Sequence, residues 1–139
     1  MHARLAGLMK EAGLRYHPSE RLYDTRLAQE LGKWGDEHGT PAIHDALYRA
    51  YFVDGVNLGK VEALVAVAAT VGLPAGEARR VLTERTYRRA VDDDWERART
   101  IGVTAVPTFV AAGSAVVGAQ PYEVLEQLIV TAGAKRRAG

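Results

Sequence analysis

The sequence predicts a mostly helical α+β protein, in which six helices are followed by one β-hairpin and a last helix. Apolar residues recur at intervals of three and four from Leu5 to Ala98, which is the spacing that places side chains on one face of a helix. From Pro107 onward the pattern changes to the two-residue alternation that is typical of strands. With 139 residues, of which 47% are hydrophobic, the chain can build an ordinary core.

The first two predicted helices are separated by an extended connection. Gly13 is expected to end the first helix, and Pro18 interrupts the connection, whose sequence is LRYHPSERLY. Asp24 is a suitable N-cap for the second helix. Gly32 and Gly35 each weaken that helix by about 1 kcal/mol relative to Ala, so either they permit close packing or the helix ends early. The apolar faces consist of Leu5, Leu8, Met9 and Ala12 in the first helix and of Leu27, Leu31 and Trp34 in the second.

Four more helices are predicted before the hairpin. Thr40 and Pro41 are typical of the N-cap and first position of the third helix. The segment VDGVNLG is expected to be a loop, Pro74 to open the fifth helix, and Gly102 to end the sixth. The predicted buried residues of the third helix are Ile43, Ala46, Leu47, Ala50 and Tyr51. The residues at helical spacing are Val61, Leu64, Val65 and Ala68 in the fourth helix and Tyr87, Ala90, Val91, Trp95 and Ala98 in the sixth.

The hairpin is predicted from PTFVAA and AVVG, which flank a tight turn at Gly113-Ser114. The last helix is expected to run from Pro121 to about Ala132, with an apolar face of Val124, Leu125, Leu128 and Ile129. A lone two-stranded hairpin is only marginally stable in water, and both of its edges carry unpaired backbone groups. We therefore expect further chain, a second copy or a partner to pair with it.

Composition excludes several classes of function. The formal net charge of +1, with 25% charged residues, gives no reason to expect a nucleic acid or a membrane surface as partner. No apolar stretch approaches the ~20 residues of a membrane span, and the first residues lack the cleavage site of an export signal, so a cytoplasmic location is expected. The sequence has no cysteine, which excludes a disulfide framework and a thiol nucleophile supplied by this chain.

Histidines and one run of aspartates are the candidates for metal binding or catalysis. The histidines, His2, His17, His38 and His44, form no His-x-x-x-His pair. Asp92, Asp93 and Asp94 fan around a helix axis and cannot converge on one ion, whereas Arg88 and Arg97 stand four residues from members of the run. We therefore predict a solvated, salt-bridged face, with no metal site, no cofactor and no catalytic residue in this chain.

Pro107 is the most informative residue, because a proline cannot donate a ladder hydrogen bond and so belongs at the start of a strand, at an edge or in a special turn. The stretch GVTAVPTFVAAG places it directly before strand-forming residues. A cis peptide bond before proline costs only about 0.5–1 kcal/mol. From these residues alone, a trans edge-strand proline and a cis-proline loop are both open.

Four stretches together resemble the DsbA family of thioredoxin-like oxidoreductases, and most of all its cytoplasmic FrnE-type branch with a helical insertion. They are RLAQELGKWGDEHG, HDALYRAYFVDGVNLG, ARTIGVTAVPTFV and VVGAQPYEVLEQL. In that family an N-terminal strand-helix-strand unit carries Cys-x-x-Cys, the helical insertion follows, and a hairpin with a final helix completes the thioredoxin-like fold. On this resemblance the sequence begins at the insertion, and the catalytic strand and both cysteines have no counterpart in it.

The resemblance implies a substrate-facing cis-proline loop formed by Val106, Pro107 and Thr108, which binds an extended peptide or protein substrate. It implies a homologue of protein dithiol–disulfide oxidoreductases and isomerases. Thiol–disulfide exchange requires an attacking thiolate, so this chain is expected to be redox-inactive alone.

The same resemblance divides the chain into a helical lid or insertion region at 1–102, the C-terminal ββα half of the thioredoxin fold at 103–132, and a basic flexible tail at 133–139. A homodimer through the hairpin edge is expected. Two other interpretations stay open. The first is that the chain is a non-catalytic scaffold that binds a peptide or a partner. The second is that it is a relative of the glutathione-dependent, kappa-type isomerases.

Overall fold

The computed structural model describes residues 2–19 and 21–137, which form seven α-helices and one two-stranded antiparallel sheet. The prediction of a mostly helical α+β fold is confirmed. The elements are α1 His2–Glu11, α2 Arg26–Glu37, α3 Ala42–Phe52, α4 Val61–Thr70, α5 Ala75–Glu84, α6 Arg88–Thr100, β1 Thr108–Ala111, β2 Ser114–Val117 and α7 Tyr122–Thr131. Two compact units divide within α6: a helical unit, Met1–Asp94, and a C-terminal unit, Trp95–Gly139. The sequence placed this boundary at residue 102.

Helices α2 to α5 enclose the core of the helical unit. Each contributes a leucine or isoleucine that is at most 1% exposed, namely Leu31, Ile43, Leu64 and Leu82. Leu58 and Leu73 lie between helices and are nevertheless buried in the same cluster. Leu58 belongs to the segment that the sequence predicts only as a loop, so this loop also supplies core packing.

The two glycines of α2 permit a close approach to α3. A Cβ atom at Gly35 would lie 2.6 Å from Cγ2 of Ile43, and one at Gly32 would lie 2.8 Å from Cε1 of His44. Helix α2 continues through both glycines to Glu37. Of the two explanations that the sequence left open, close packing is therefore the one that applies.

Ion pairs attach α6 to α2. Only Val91 of the predicted apolar face of α6 is buried, and Trp95 is 47% exposed. Asp92 pairs with Arg26 of α2, and also lies 3.8 Å from Arg88 within α6; Asp94 pairs with Lys33. Charged side chains of α6 therefore take part in its contact with α2. The aspartate run is tied to a neighbouring helix as well as exposed to solvent.

In the C-terminal unit, β1 and β2 pair with Thr108 opposite Val117 and Ala111 opposite Ser114. The turn residues are therefore Ala112 and Gly113, with φ of 46° and 80°, and not the predicted Gly113-Ser114. Two consecutive residues with positive φ are what the type I′ two-residue hairpin turn requires.

Helix α7 packs on both strands but covers them incompletely. An open groove of about 440 Å³ lies between β2 and α7. Of the predicted apolar face of α7, only Leu128 is buried, while Val124 is 39% exposed and Ile129 49% exposed. The predicted burial of that whole face was wrong because two short strands offer too little surface to cover it.

No helix in the described ranges is long and apolar enough to cross a membrane. The cytoplasmic location stays a prediction. Within the predicted basic tail, Arg136 pairs with Glu126 of α7, and residues 138 and 139 lie outside the described residues, as does residue 20 of the predicted connection.

Candidate functional site: the proline loop

The loop that leads from α6 into β1 contains a cis peptide bond between Val106 and Pro107. Hydrogen bonds fix the backbone on both sides of this bond. The hydroxyl of Thr108 donates to the carbonyl oxygen of Ala105 at 2.5 Å, and the N–H of Gly118 donates to the carbonyl oxygen of Pro107 at 2.7 Å. Val106, Pro107 and Thr108, which the resemblance singled out, are thus held in one defined conformation.

Val106 itself is left open. It is 88% exposed, and across the described residues neither its N–H nor its carbonyl oxygen makes a hydrogen bond. An exposed, unpaired peptide group beside a strand is a template for another extended chain. The geometry can therefore bind a peptide through its backbone.

The surroundings of the loop are uncharged. From Ile101 to Pro121 the sequence contains no Asp, Glu, Lys, Arg or His, although a quarter of the whole chain is charged. Exposed apolar side chains lie along the same stretch, namely Val106, Phe109, Val110 and Val117. Such a surface offers neutral, apolar contacts and no ion pair of its own.

Sequence reasoning missed Gly118, which fixes the carbonyl of Pro107. The hairpin register provides a signal for it. Because Thr108 lies opposite Val117, the next pair outward is Pro107 opposite Gly118, and proline can only accept there. A correctly placed turn would therefore have identified this contact from the sequence.

The histidines make structural contacts in the helical unit. The His44 ring lies 2.9 Å from Asp36, the His38 ring lies 3.0 Å from the carbonyl of Trp34, and His2 contacts Tyr16 at 2.7 Å. His17 packs against Gly55. Nowhere in the described part of the chain do three or more His, Asp or Glu residues converge as metal ligands.

A helical unit followed by a hairpin, with a cis-proline loop at the entrance of the first strand and a helix after the second, is a thioredoxin-like arrangement. The chain belongs to the family described as the DSBA-like thioredoxin domain, whose model matches residues 1–130. The family resemblance in the sequence is thereby confirmed.

Two proteins illustrate the relationship. The chain is 32% identical over 107 residues to the protein YwbO of Bacillus subtilis (strain 168), an alignment that covers 74% of this chain and 49% of that protein. It is similar to the crystal structure of a probable DsbA oxidoreductase, SCO1869, from Streptomyces coelicolor, with a TM-score of 0.84 and 32% identity. That match covers 98% of this chain and 60% of the other, so the chain spans only 49% and 60% of the length of these two relatives.

Thiol–disulfide exchange requires a cysteine thiolate, and this sequence does not supply one. The sequence of 139 residues contains none, so it carries no redox-active Cys-x-x-Cys motif. What it does carry is the proline loop, the hairpin and the helical unit.

Proposed function

We propose that this chain forms the substrate-facing side of a DsbA-type protein dithiol–disulfide oxidoreductase or isomerase, and that it binds peptide without exchanging disulfides itself. The observation that supports the proposal is the exposed Val106, whose N–H and carbonyl oxygen are unpaired within the described residues. An extended peptide pairs with these groups as an added strand. The uncharged surroundings favour neutral or apolar side chains on that peptide.

The lack of turnover follows from the chemistry. Disulfide exchange begins when a thiolate attacks one sulfur of a disulfide and forms a mixed disulfide. This chain contains no cysteine to supply that thiolate. Its contribution is to hold the peptide, and the attacking thiolate belongs to another polypeptide segment.

Binding of a fluorescently labelled, neutral, extended peptide, measured by anisotropy, tests the proposal. Val106→Pro removes the N–H and keeps an apolar side chain, whereas Val106→Ala keeps the N–H and removes most of the side chain. A backbone hydrogen bond contributes about 0.5–1.5 kcal/mol, so Val106→Pro should weaken binding about two- to tenfold, and Val106→Ala should weaken it less.

Insulin reduction in the presence of dithiothreitol is the companion measurement, and the chain should not accelerate it. A rate above that of dithiothreitol alone would contradict the absence of turnover. If Val106→Ala weakened binding more than Val106→Pro, the side chain and not the backbone would be the binding group.

A non-catalytic scaffold is the second candidate, and the absence of cysteine is what favours it. Addition of a separately expressed Cys-x-x-Cys domain of a relative distinguishes the two. If this chain raises the rate of insulin reduction above that of the added domain alone, and if Val106→Pro abolishes the increase, the oxidoreductase proposal is supported. Peptide binding with no such increase supports the scaffold.

A further inference from the structure

One face of α2 carries charged side chains whose sign alternates along the helix. Arg26, Glu30, Lys33 and Glu37 are spaced by four, three and four residues, and this spacing aligns side chains on one side of a helix. Each of the four pairs with a residue of one short segment, 85–94, which contains the turn after α5 and the first half of α6. The pairs are Arg26–Asp92, Glu30–Arg85, Lys33–Asp94 and Glu37–Tyr87. The contact between α2 and this segment is thus largely polar.

The two ends of this contact differ in burial. Glu30 is fully buried and accepts hydrogen bonds of 2.6–3.1 Å from Arg85, which lies in the left-handed turn after α5. By contrast, all four side chains of the two ion pairs that α6 itself makes with α2 are between 30% and 57% exposed. A buried charge separates from its partner at high cost, whereas exposed ion pairs are weak and are screened by salt. The pair at the turn is therefore the stable attachment, and the pairs of α6 are the weak one.

The first half of α6, residues 88–94, depends on these weak contacts. All seven of these residues are described, and Val91 is the one buried side chain among them. Arg88 and Arg89 occupy the first turn, where the helix dipole favours anions. The whole of α6 has 13 residues, and an isolated helix of this length is marginal in water. Little therefore holds residues 88–94 in place apart from Val91 and the two exposed ion pairs.

We propose that residues 88–94, which we call the strap, form a salt-released latch on α2. The strap turns about the fixed Glu30–Arg85 pair and detaches at Asp92 and Asp94, while α2 to α5 remain folded. Salt drives the release because it shortens the Debye length from about 10 Å at 0.1 M to about 3 Å at 1 M, which weakens both exposed pairs together. Local opening of this kind is typical of regions with few buried apolar contacts.

The position of the strap in the chain gives its release a consequence. Helix α6 continues from the strap to Thr100 and leads into the proline loop. Release of the strap therefore lengthens the flexible connection that enters this loop. The hydrogen bonds that fix the loop itself, from Thr108 and Gly118, do not involve the strap. The inference does not rest on the proposed peptide binding, because no step of it involves a peptide.

Residue-resolved hydrogen exchange of the intact chain, measured by NMR at about 0.1 and 1 M NaCl, tests the latch. The amides of the strap should exchange about three- to tenfold faster at the higher salt concentration, the effect expected from screening two exposed ion pairs. The amides of α3 and α4 should change less than about twofold, because the core stays closed. The N–H of Thr86, which donates to the carbonyl oxygen of Val81 at the turn, should keep its protection.

Matched substitutions in the aspartate run assign this response to particular charges. Asp92→Asn combined with Asp94→Asn removes both anions that face α2, so the strap should exchange faster at low salt and respond to salt less than about twofold. Asp93→Asn removes a charge from the same run, but Asp93 makes no ion pair within the described residues, so the wild-type response should persist. Lys33→Glu combined with Asp94→Lys exchanges the two charges of one pair and should keep the response as well.

The outcomes that would overturn the proposal are distinct. No salt response in the strap, or an equal response in α3 and α4, would show that no separate latch exists. A wild-type response in the variant that combines Asp92→Asn with Asp94→Asn, or its loss in Asp93→Asn, would show that the ion pairs with α2 are not the latch. Loss of protection at Thr86 together with the strap would refute the Glu30–Arg85 pair as the fixed point.

Discussion

The helical unit buries its apolar side chains, whereas the C-terminal unit leaves most of its own exposed. Of the buried hydrophobic residues in the described ranges, Leu128 alone lies in the C-terminal unit. Of the large exposed ones, Leu8, Leu22 and Tyr48 lie in the helical unit, and ten lie in the C-terminal unit. The apolar side chains of the helical unit are mostly buried within that unit, whereas the hairpin and α7 leave an apolar surface available for contact with other polypeptide.

The largest expected effect is a difference in unfolding free energy between matched isoleucine-to-alanine substitutions, one in each unit. Ile43 is 0% exposed and Ile129 is 49% exposed. Ile43→Ala should lower the free energy of unfolding by about 2–5 kcal/mol, because it leaves a cavity in the core. Ile129→Ala should change it by about 0.5 kcal/mol or less. Urea unfolding followed by circular dichroism gives both values, and equal losses would show that α7 is as well packed as α3.

A second expected effect concerns the charge inside the helical unit. Glu30 is fully buried and accepts hydrogen bonds of 2.6–3.1 Å from Arg85, whose backbone is left-handed with φ of 56°. Arg85→Met leaves the carboxylate buried without this partner. It should cost about 3 kcal/mol, the lower part of the range for such pairs, because the Arg85 side chain is 38% exposed.

The control for this change is Arg79→Met, which removes a similar two-contact pair with Glu62 at the protein surface. Both of those side chains are at least half exposed, so little stability should be lost. Similar losses for Arg79→Met and Arg85→Met in urea unfolding would mean that burial of Glu30 does not set the cost.

The smallest expected effect lies at the margin of the helical unit. The hydroxyl of Tyr87 donates to Glu37, and this hydrogen bond, with burial as a lesser cause, raises the pKa of Tyr87 to about 12 from an ordinary value of 10.0. A raised folded-state pKa contributes stability that is full below pH 10 and is lost as pH rises toward 12. Tyr87→Phe should flatten this part of the stability–pH curve.

Glu37→Gln should flatten it as well, because it removes the charge of the acceptor. The measurement is urea unfolding at several pH values between about 9 and 11.5, because this window runs from below the ordinary tyrosine pKa of 10.0 to just below the raised value of about 12. A slope in both variants equal to that of the wild type would contradict the assignment to this pair.

Much of the fold follows from the sequence, because hydrophobic periodicity reports directly on which elements form. The helices and the hairpin were predicted, and Pro74 and Gly13 marked element ends correctly. Periodicity does not report whether an apolar face finds a neighbour. For that reason the whole apolar face of α7 was predicted to be buried, although Val124 and Ile129 are exposed.

The candidate site was only partly predictable. The position of Pro107 before a strand and the family resemblance singled out the loop, but the sequence left the isomer of the Val106–Pro107 bond open. The unpaired groups of Val106 depend on the path of the chain around it, which no local pattern encodes. Because the turn was predicted one residue too late, the predicted register was also wrong, and the contact between Gly118 and Pro107 could not be identified.

The hydrogen bond from Gln120 to Val117 also bears on how large an assembly can become. A sheet with two open edges can add copies at both ends, and repeated head-to-tail addition leads to fibres. At the β2 edge of this hairpin, the Val117 carbonyl is already occupied by the Gln120 side chain. A single glutamine thus makes strand addition at the β2 edge less favourable and works against open-ended growth.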